Sequence, residues 1–207
     1  MAQTNVTKTG SGRLLVLAIL FTVFQFTAVI LETISNGLNL PWTLGSVVMA
    51  VLCFLLYFSY RAHNKNVTKP LLGATLMYIL SYELSWGCSN LQYIGEILGY
   101  YDIDIAFVVY CIAQILTFLV IVGINILHYV INETHQSSPG KVKLNWTLFI
   151  AFVVLVAVQA VCIFLMNYDD VLIIIGEIIA VLADIFILGS VLCIESSMDD
   201  FRIAREK

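Results

Sequence analysis

The fold of this chain is decided by the run from Val171 to Ile194, VLIIIGEIIAVLADIFILGSVLCI. About 20 apolar residues are enough for an α-helix to cross the hydrocarbon core of a bilayer, which is about 30 Å thick. The run is long enough to cross, and its charged residues are the two acids Glu177 and Asp184, without any Lys or Arg. It therefore predicts a transmembrane helix that carries carboxyl groups inside the membrane.

Five further apolar runs of similar length precede this one: Arg13 to Ser35, Pro41 to Tyr60, Pro70 to Tyr93, Ile105 to Ile131 and Leu144 to Met166. The chain is 60% hydrophobic and only 12% charged, which is too little charge for the surface of a soluble domain. We therefore predict an all-α fold, a polytopic membrane protein built as a bundle of six transmembrane helices. The expected parts are a tail (1–12), the six-helix domain (13–194) and a short terminal helix (195–207).

The basic residues predict the orientation of the bundle. All 10 Lys and Arg residues fall on one side of the six runs, at positions Lys8, Arg13, Arg61, Lys65, Lys69, Lys141, Lys143, Arg202, Arg205 and Lys207. Short loops that carry Lys and Arg stay in the cytoplasm, so both termini are expected to be cytoplasmic (N-in/C-in). In a prokaryote this would be the plasma membrane. The Asn-x-Thr patterns at Asn5, Asn66, Asn132 and Asn145 lie on the same side, and in a eukaryote an inverted orientation would expose them to glycosylation.

The opposite side of the predicted bundle is acidic. It carries Glu32, Glu96, Asp102, Asp104, Asp169 and Asp170 and no basic residue. Such a surface concentrates cations near it. The acids can also be incidental, because Asp and Glu contribute little to topology.

Polar residues recur near the centres of the predicted spans. They are Gln25, Glu83, Gln114, Gln159 and Asp184, and Glu177 lies one heptad before Asp184 on nearly the same face. A carboxylate at the centre of a transmembrane helix costs about 2.5–3.5 kcal/mol even on a lenient insertion scale. These side chains are therefore expected to face the interior of the bundle.

The third run contains a polar break, Glu83 to Asn90 (ELSWGCSN). Glu83, Trp86, Gly87 and Asn90 follow helical spacing and share one face. An acid, an aromatic ring, a close-approach glycine and an amide on one face are typical of a pocket wall for a cationic or aromatic ligand, because the indole face also attracts positive charge. Trp86 can equally be a packing residue.

Two functions from different classes fit this polar layer. The first is translocation or binding of a cation, a proton or a small polar solute, with Glu83 and Asp184 as carriers, Glu177 on the outer access path, and Gln25, Gln114 and Gln159 orienting the ligand. The same side chains can also be purely structural hydrogen-bonding links between helices. The second function is a non-transporting sensor input or accessory subunit, in which the polar layer senses a ligand or takes part in assembly. In that case the terminal helix (195–207) would meet a partner subunit, or it is an interfacial anchor on the lipid bilayer.

Other functional classes lack support in the sequence. Enzyme signatures such as His-Glu-x-x-His and Gly-x-Ser-x-Gly are absent, and charge and placement exclude nucleic-acid binding. The 5 Cys residues lie inside predicted spans without a Cys-x-x-Cys pair, so we expect no metal site and no cofactor. His63, His128 and His135 cluster near the basic side and are interpreted as solvated loop residues.

Overall fold

The computed structural model describes residues 3–62, 64–97, 105–134, 139–166 and 171–203. Within these residues the chain forms six α-helices and no strand, which confirms the all-α prediction. The helices are α1 (Gln3–Asn36), α2 (Leu40–Arg61), α3 (Lys65–Ile97), α4 (Ile105–Thr134), α5 (Pro139–Leu165) and α6 (Val171–Ile203).

Five of the helices are long and apolar enough to cross a membrane. The qualifying segments are Gly12–Asn36, Leu40–Arg61, Ile105–Tyr129, Gly140–Leu165 and Val171–Ser196. They overlap the predicted runs and support a multi-pass membrane protein. The predicted span from Pro70 to Tyr93 falls within α3, which does not reach the same apolar content because it contains Glu83 and a series of Ser, Thr and Asn residues.

The turn between α1 and α2 follows from three residues. Gly37 has φ +83°, a left-handed conformation that glycine adopts without steric cost, and its N–H donates to the carbonyl of Thr33 at 3.1 Å. Asn39 then caps α2 by accepting from the backbone N–H of Trp42 at 3.3 Å. Pro41 lies in the first turn of α2, where no intrahelical donor is required.

Each helix packs against its neighbours in the chain, and α6 returns to α1, so the helices form a closed ring. The α6 helix also contacts α2 and α3. Neighbouring helices are antiparallel: Tyr82 meets Trp42 while Tyr78 meets Gly45, and Gly73 lies near His128 while Leu76 meets Asn125. We call the end of the bundle that holds Arg13 and Arg61 the basic end, and the end that holds Glu32 and Glu177 the acidic end.

The packed core lies mainly toward the basic end. Phe21, Leu56, Leu72, Leu76, Ile121, Ile124, Phe152, Ile187, Leu188, Leu192 and Ile194 are among the largest fully buried side chains. Most of them lie in the half of their helix nearer the basic end, and all belong to one apolar cluster. Ile163, nearer the acidic end, belongs to a second cluster. Large apolar side chains are therefore buried mainly in the basic half of the bundle.

Candidate functional site

A cavity lies between the helices in the other half of the bundle, from the acidic end to mid-depth. All six helices contribute to its lining, which consists of Glu32, Asn36, Trp42, Tyr82, Glu83, Tyr110, Gln114, Gln159, Ile173, Gly176, Glu177, Ala180, Val181 and Asp184. Its volume is about 70 Å³, which is room for a few water molecules or a small ion with part of its hydration shell. Asn36, at the end of α1, is exposed and marks the mouth of the cavity.

The deepest part of the cavity holds two carboxyl groups on different helices. Glu83 on α3 and Asp184 on α6 are close enough to repel each other when both are ionised. Glu83 is 8% exposed, so its carboxyl has little access to bulk solvent. Among the described lining residues there is no Lys, Arg or His to balance these acids. A bound cation or proton would compensate their charge.

A second pair of carboxyl groups lies nearer the mouth. Glu177 on α6 interacts electrostatically with Glu32 on α1. The two helices approach closely here, because a Cβ added at Gly176 would lie 3.4 Å from Cβ of Leu31. Four carboxyl groups from three helices therefore follow one another from the mouth of the cavity to mid-depth.

Amide and aromatic groups complete the lining. The Gln159 side chain donates from Nε2 to Oγ1 of Thr117 at 2.8 Å, and that hydroxyl donates to the carbonyl of Ala113 at 2.9 Å. This arrangement positions the amide and leaves its carbonyl oxygen as a possible ligand. Trp42 donates from its indole Nε1 to the hydroxyl of Tyr82 at 2.6 Å, which joins α2 to α3 across one wall.

The sequence-predicted residues divide into three groups. Glu83, Glu177, Asp184, Gln114 and Gln159 all line the cavity. Gln25 lies elsewhere, between α1 and α2, where it donates to Oγ of Ser46 at 2.9 Å. The side chains of Trp86 and Asn90 lie outside the described part of the chain.

Sequence reasoning missed several lining residues and one buried histidine. Glu32 was assigned only to the acidic side and Trp42 was given no role, yet both line the cavity. Their positions at the ends of apolar runs gave no sign that the helix ends converge. The expectation that His128 is solvated is wrong, because its side chain packs inside the bundle and is 3% exposed. His63 and His135 lie outside the described residues.

No group of three or more His, Cys, Asp or Glu residues in the described part of the chain could hold a metal ion. The cavity offers carboxyl and amide oxygens. Both kinds of oxygen bind hard cations, and the carboxyl groups also exchange protons.

No protein-family model, curated protein or solved structure matches this chain.

Proposed function

We propose that this protein is a membrane carrier that binds a proton or a small monovalent cation in the cavity and moves it across the bilayer. Glu83 and Asp184 are the carrying groups, Glu177 lies on the access path, and Gln114 and Gln159 orient the ligand. The observation that carries the proposal is the convergence of these side chains, from helices far apart in sequence, on one cavity whose lining contains no base.

The cost of the acids supports a binding role over a purely structural one. Polar links between transmembrane helices contribute only about 0.6–2 kcal/mol each. A central carboxylate costs about 2.5–3.5 kcal/mol, so two of them in one cavity are poorly explained as structural links. A cation or proton held between them would remove most of that cost.

The size of the cavity favours a small ligand. A volume of about 70 Å³ suits a proton, a monovalent cation or a few waters better than an amino acid or a polyamine. The carboxyl and amide oxygens supply hard ligands for such a cation, and the aromatic rings of Trp42, Tyr82 and Tyr110 add surfaces that attract positive charge.

The directions in which the helices run support two parts of the proposal. The α3 helix crosses the membrane as a sixth span, and both termini are cytoplasmic. The chain enters α3 at the end where α2 stops and leaves it at the end where α4 starts, and all three run antiparallel to their neighbours. With six crossings both termini lie on the basic side of the bundle. The positive-inside rule assigns that side to the cytoplasm.

The test is ion flux in proteoliposomes, read as internal pH and membrane potential. We expect wild type to move protons or a monovalent cation, and Glu83→Gln and Asp184→Asn each to abolish that movement while the protein still folds. The matched control is Gln25→Met, which removes a buried polar side chain outside the cavity. Flux that persists in Glu83→Gln or in Asp184→Asn, or the absence of flux from folded wild type, would instead support the sensor or accessory subunit.

A further inference from the structure

A second polar cluster lies at the basic end of the bundle, remote from the cavity. Nδ1 of His128 on α4 lies 3.0 Å from Oε1 of Glu195 on α6, and Nδ2 of Asn145 on α5 donates to Oε2 of the same carboxyl at 3.4 Å. The three side chains are 3%, 6% and 3% exposed. One carboxyl group therefore joins three helices inside the protein.

This cluster is separated from the cavity by apolar side chains. Along α6, Asp184 and Glu195 are about 16 Å apart at the usual rise per residue of an α-helix. Between them lie Ile187, Leu188 and Val191, all 0% exposed. Among the described residues, this apolar layer therefore lies between the cavity, which reaches the acidic end, and the polar cluster.

The hydrogen bonding in and next to this cluster is also incomplete. Oδ1 of Asn145 and Oδ1 of Asn125, one helical turn before His128, are buried without a hydrogen-bond partner among the described residues. Buried polar atoms without partners are rare because they lose their hydration. Water that enters the basic end would supply hydrogen-bond partners for both oxygen atoms. Opening of this end would therefore improve the hydrogen bonding of these two amides.

We propose that His128, Asn145 and Glu195 form the gate that closes the basic end of the transport path. The proposal rests on the proposed carrier function, because a carrier must expose its site to one side at a time. Directional contacts to a single carboxyl group suit a gate, since separating α6 from α4 and α5 breaks them together. An apolar contact of the same area would allow sliding without a defined closed position.

The gate can be tested without measuring transport. Ser190 on α6 is 4% exposed and lies between the cavity and the cluster, and Ser190→Cys keeps its size. In a variant whose native cysteines are replaced by Ser or Ala, the thiol at position 190 reports water entry from the basic side. We expect slow reaction with a membrane-impermeant thiol reagent, and a rate about tenfold higher when Glu195→Ala removes the shared carboxyl.

A neighbouring bond provides the matched control. Trp146 donates from Nε1 to Oγ of Ser196 at 3.1 Å, and this bond also joins α5 to α6 but is partly exposed. Ser196→Ala should leave the labelling rate at its parental value. If Glu195→Ala also leaves it unchanged, or if Ser196→Ala raises it equally, the proposed gate is wrong.

A second pair of variants covers the case in which Glu195→Ala does not fold. His128→Asn keeps a nitrogen near the position of Nδ1 and should label at close to the parental rate, whereas His128→Leu should label about tenfold faster. Equal rates for the two would overturn the gate. Absence of flux from wild type would refute the carrier function separately, because the labelling rates do not depend on it.

Discussion

At the scale of single residues, Glu83 illustrates how a carboxyl group is retained in a membrane protein. Lipid would leave the group unsolvated, whereas the cavity surrounds it with amide groups, tyrosine hydroxyls and room for water. Its helix position predicted that it faces inward. Its partner Asp184 lies on α6, about 100 residues later in sequence, and only the packing of α3 against α6 brings the two together.

The two buried glutamines Gln159 and Gln25 allow a direct comparison. Gln159→Met removes a polar group from the cavity and should lower the apparent affinity for the transported cation by about 10–100-fold, because hydrogen bonds to charged groups are worth about 1.5–3 kcal/mol. Gln25→Met removes a single bond to Ser46 together with an unpartnered carbonyl oxygen and should leave affinity unchanged. The concentration dependence of flux measures both. Equal effects would contradict the assignment of Gln159 to the site.

The interpretation of His128 as a solvated loop residue was wrong because it rested on neighbouring histidines rather than on the position of His128 itself. Clustering with His63 and His135 suggested a loop, although His128 itself lies inside the apolar run from Ile105 to Ile131. Its position in that run was the better guide to its burial. Its partner Glu195 follows the last predicted span, and nothing local to either residue predicts the contact.

At the scale of helices, α3 shows how polar side chains are accommodated inside the bundle. It packs against α2, α4 and α6, so part of its surface faces protein. Thr75 and Glu83 are buried, and the Thr75 hydroxyl donates to the carbonyl of Leu71 at 2.8 Å. Polar side chains of this kind lower the hydropathy of α3 below that of the other five helices, and facing protein rather than lipid makes them tolerable.

The contact between α1 and α6 yields a prediction at this scale. A Cβ at Gly176 would lie 3.4 Å from Leu31 Cβ and 3.7 Å from the carbonyl of Ala28, so Gly176→Leu must separate the two helices. Overpacking of this kind costs about 1–3 kcal/mol, and we expect a lower midpoint of thermal unfolding in detergent together with reduced flux. Gly87→Leu is the control, because no described atom lies within 4 Å of a Cβ there. An unchanged midpoint for Gly176→Leu would refute the close approach.

At the scale of the whole molecule, packing is distributed unevenly along the bundle axis. The basic half contains most of the large fully buried side chains, and the acidic half contains the cavity. Among the described residues, the cavity gives access to mid-depth from the acidic side. This asymmetry is what the proposed carrier function predicts for one of two access states.

Topology supplies the prediction at the molecular scale. A reporter that fluoresces only in the cytoplasm should be bright when fused to the N-terminus and also after Lys207. Fusion after residue 97, at the far end of α3, should be dark, because α3 would then have crossed the membrane. If α3 does not cross, the two termini will lie on opposite sides and only one terminal fusion will be bright.

Apolar length and charge distribution determined the class, the helical fold and most of the spans, because a bilayer imposes these requirements on each segment separately. They also indicated that Glu83, Gln114, Gln159, Glu177 and Asp184 face inward. Tertiary structure alone decided that these five converge on one cavity, that Gln25 lies outside it, that Glu32 joins its lining, and that Trp42 and His128 are buried. The physical reason is that rotation and pairing of the helices depend on side-chain contacts between segments distant in sequence, such as the approach of α1 to α6 at Gly176.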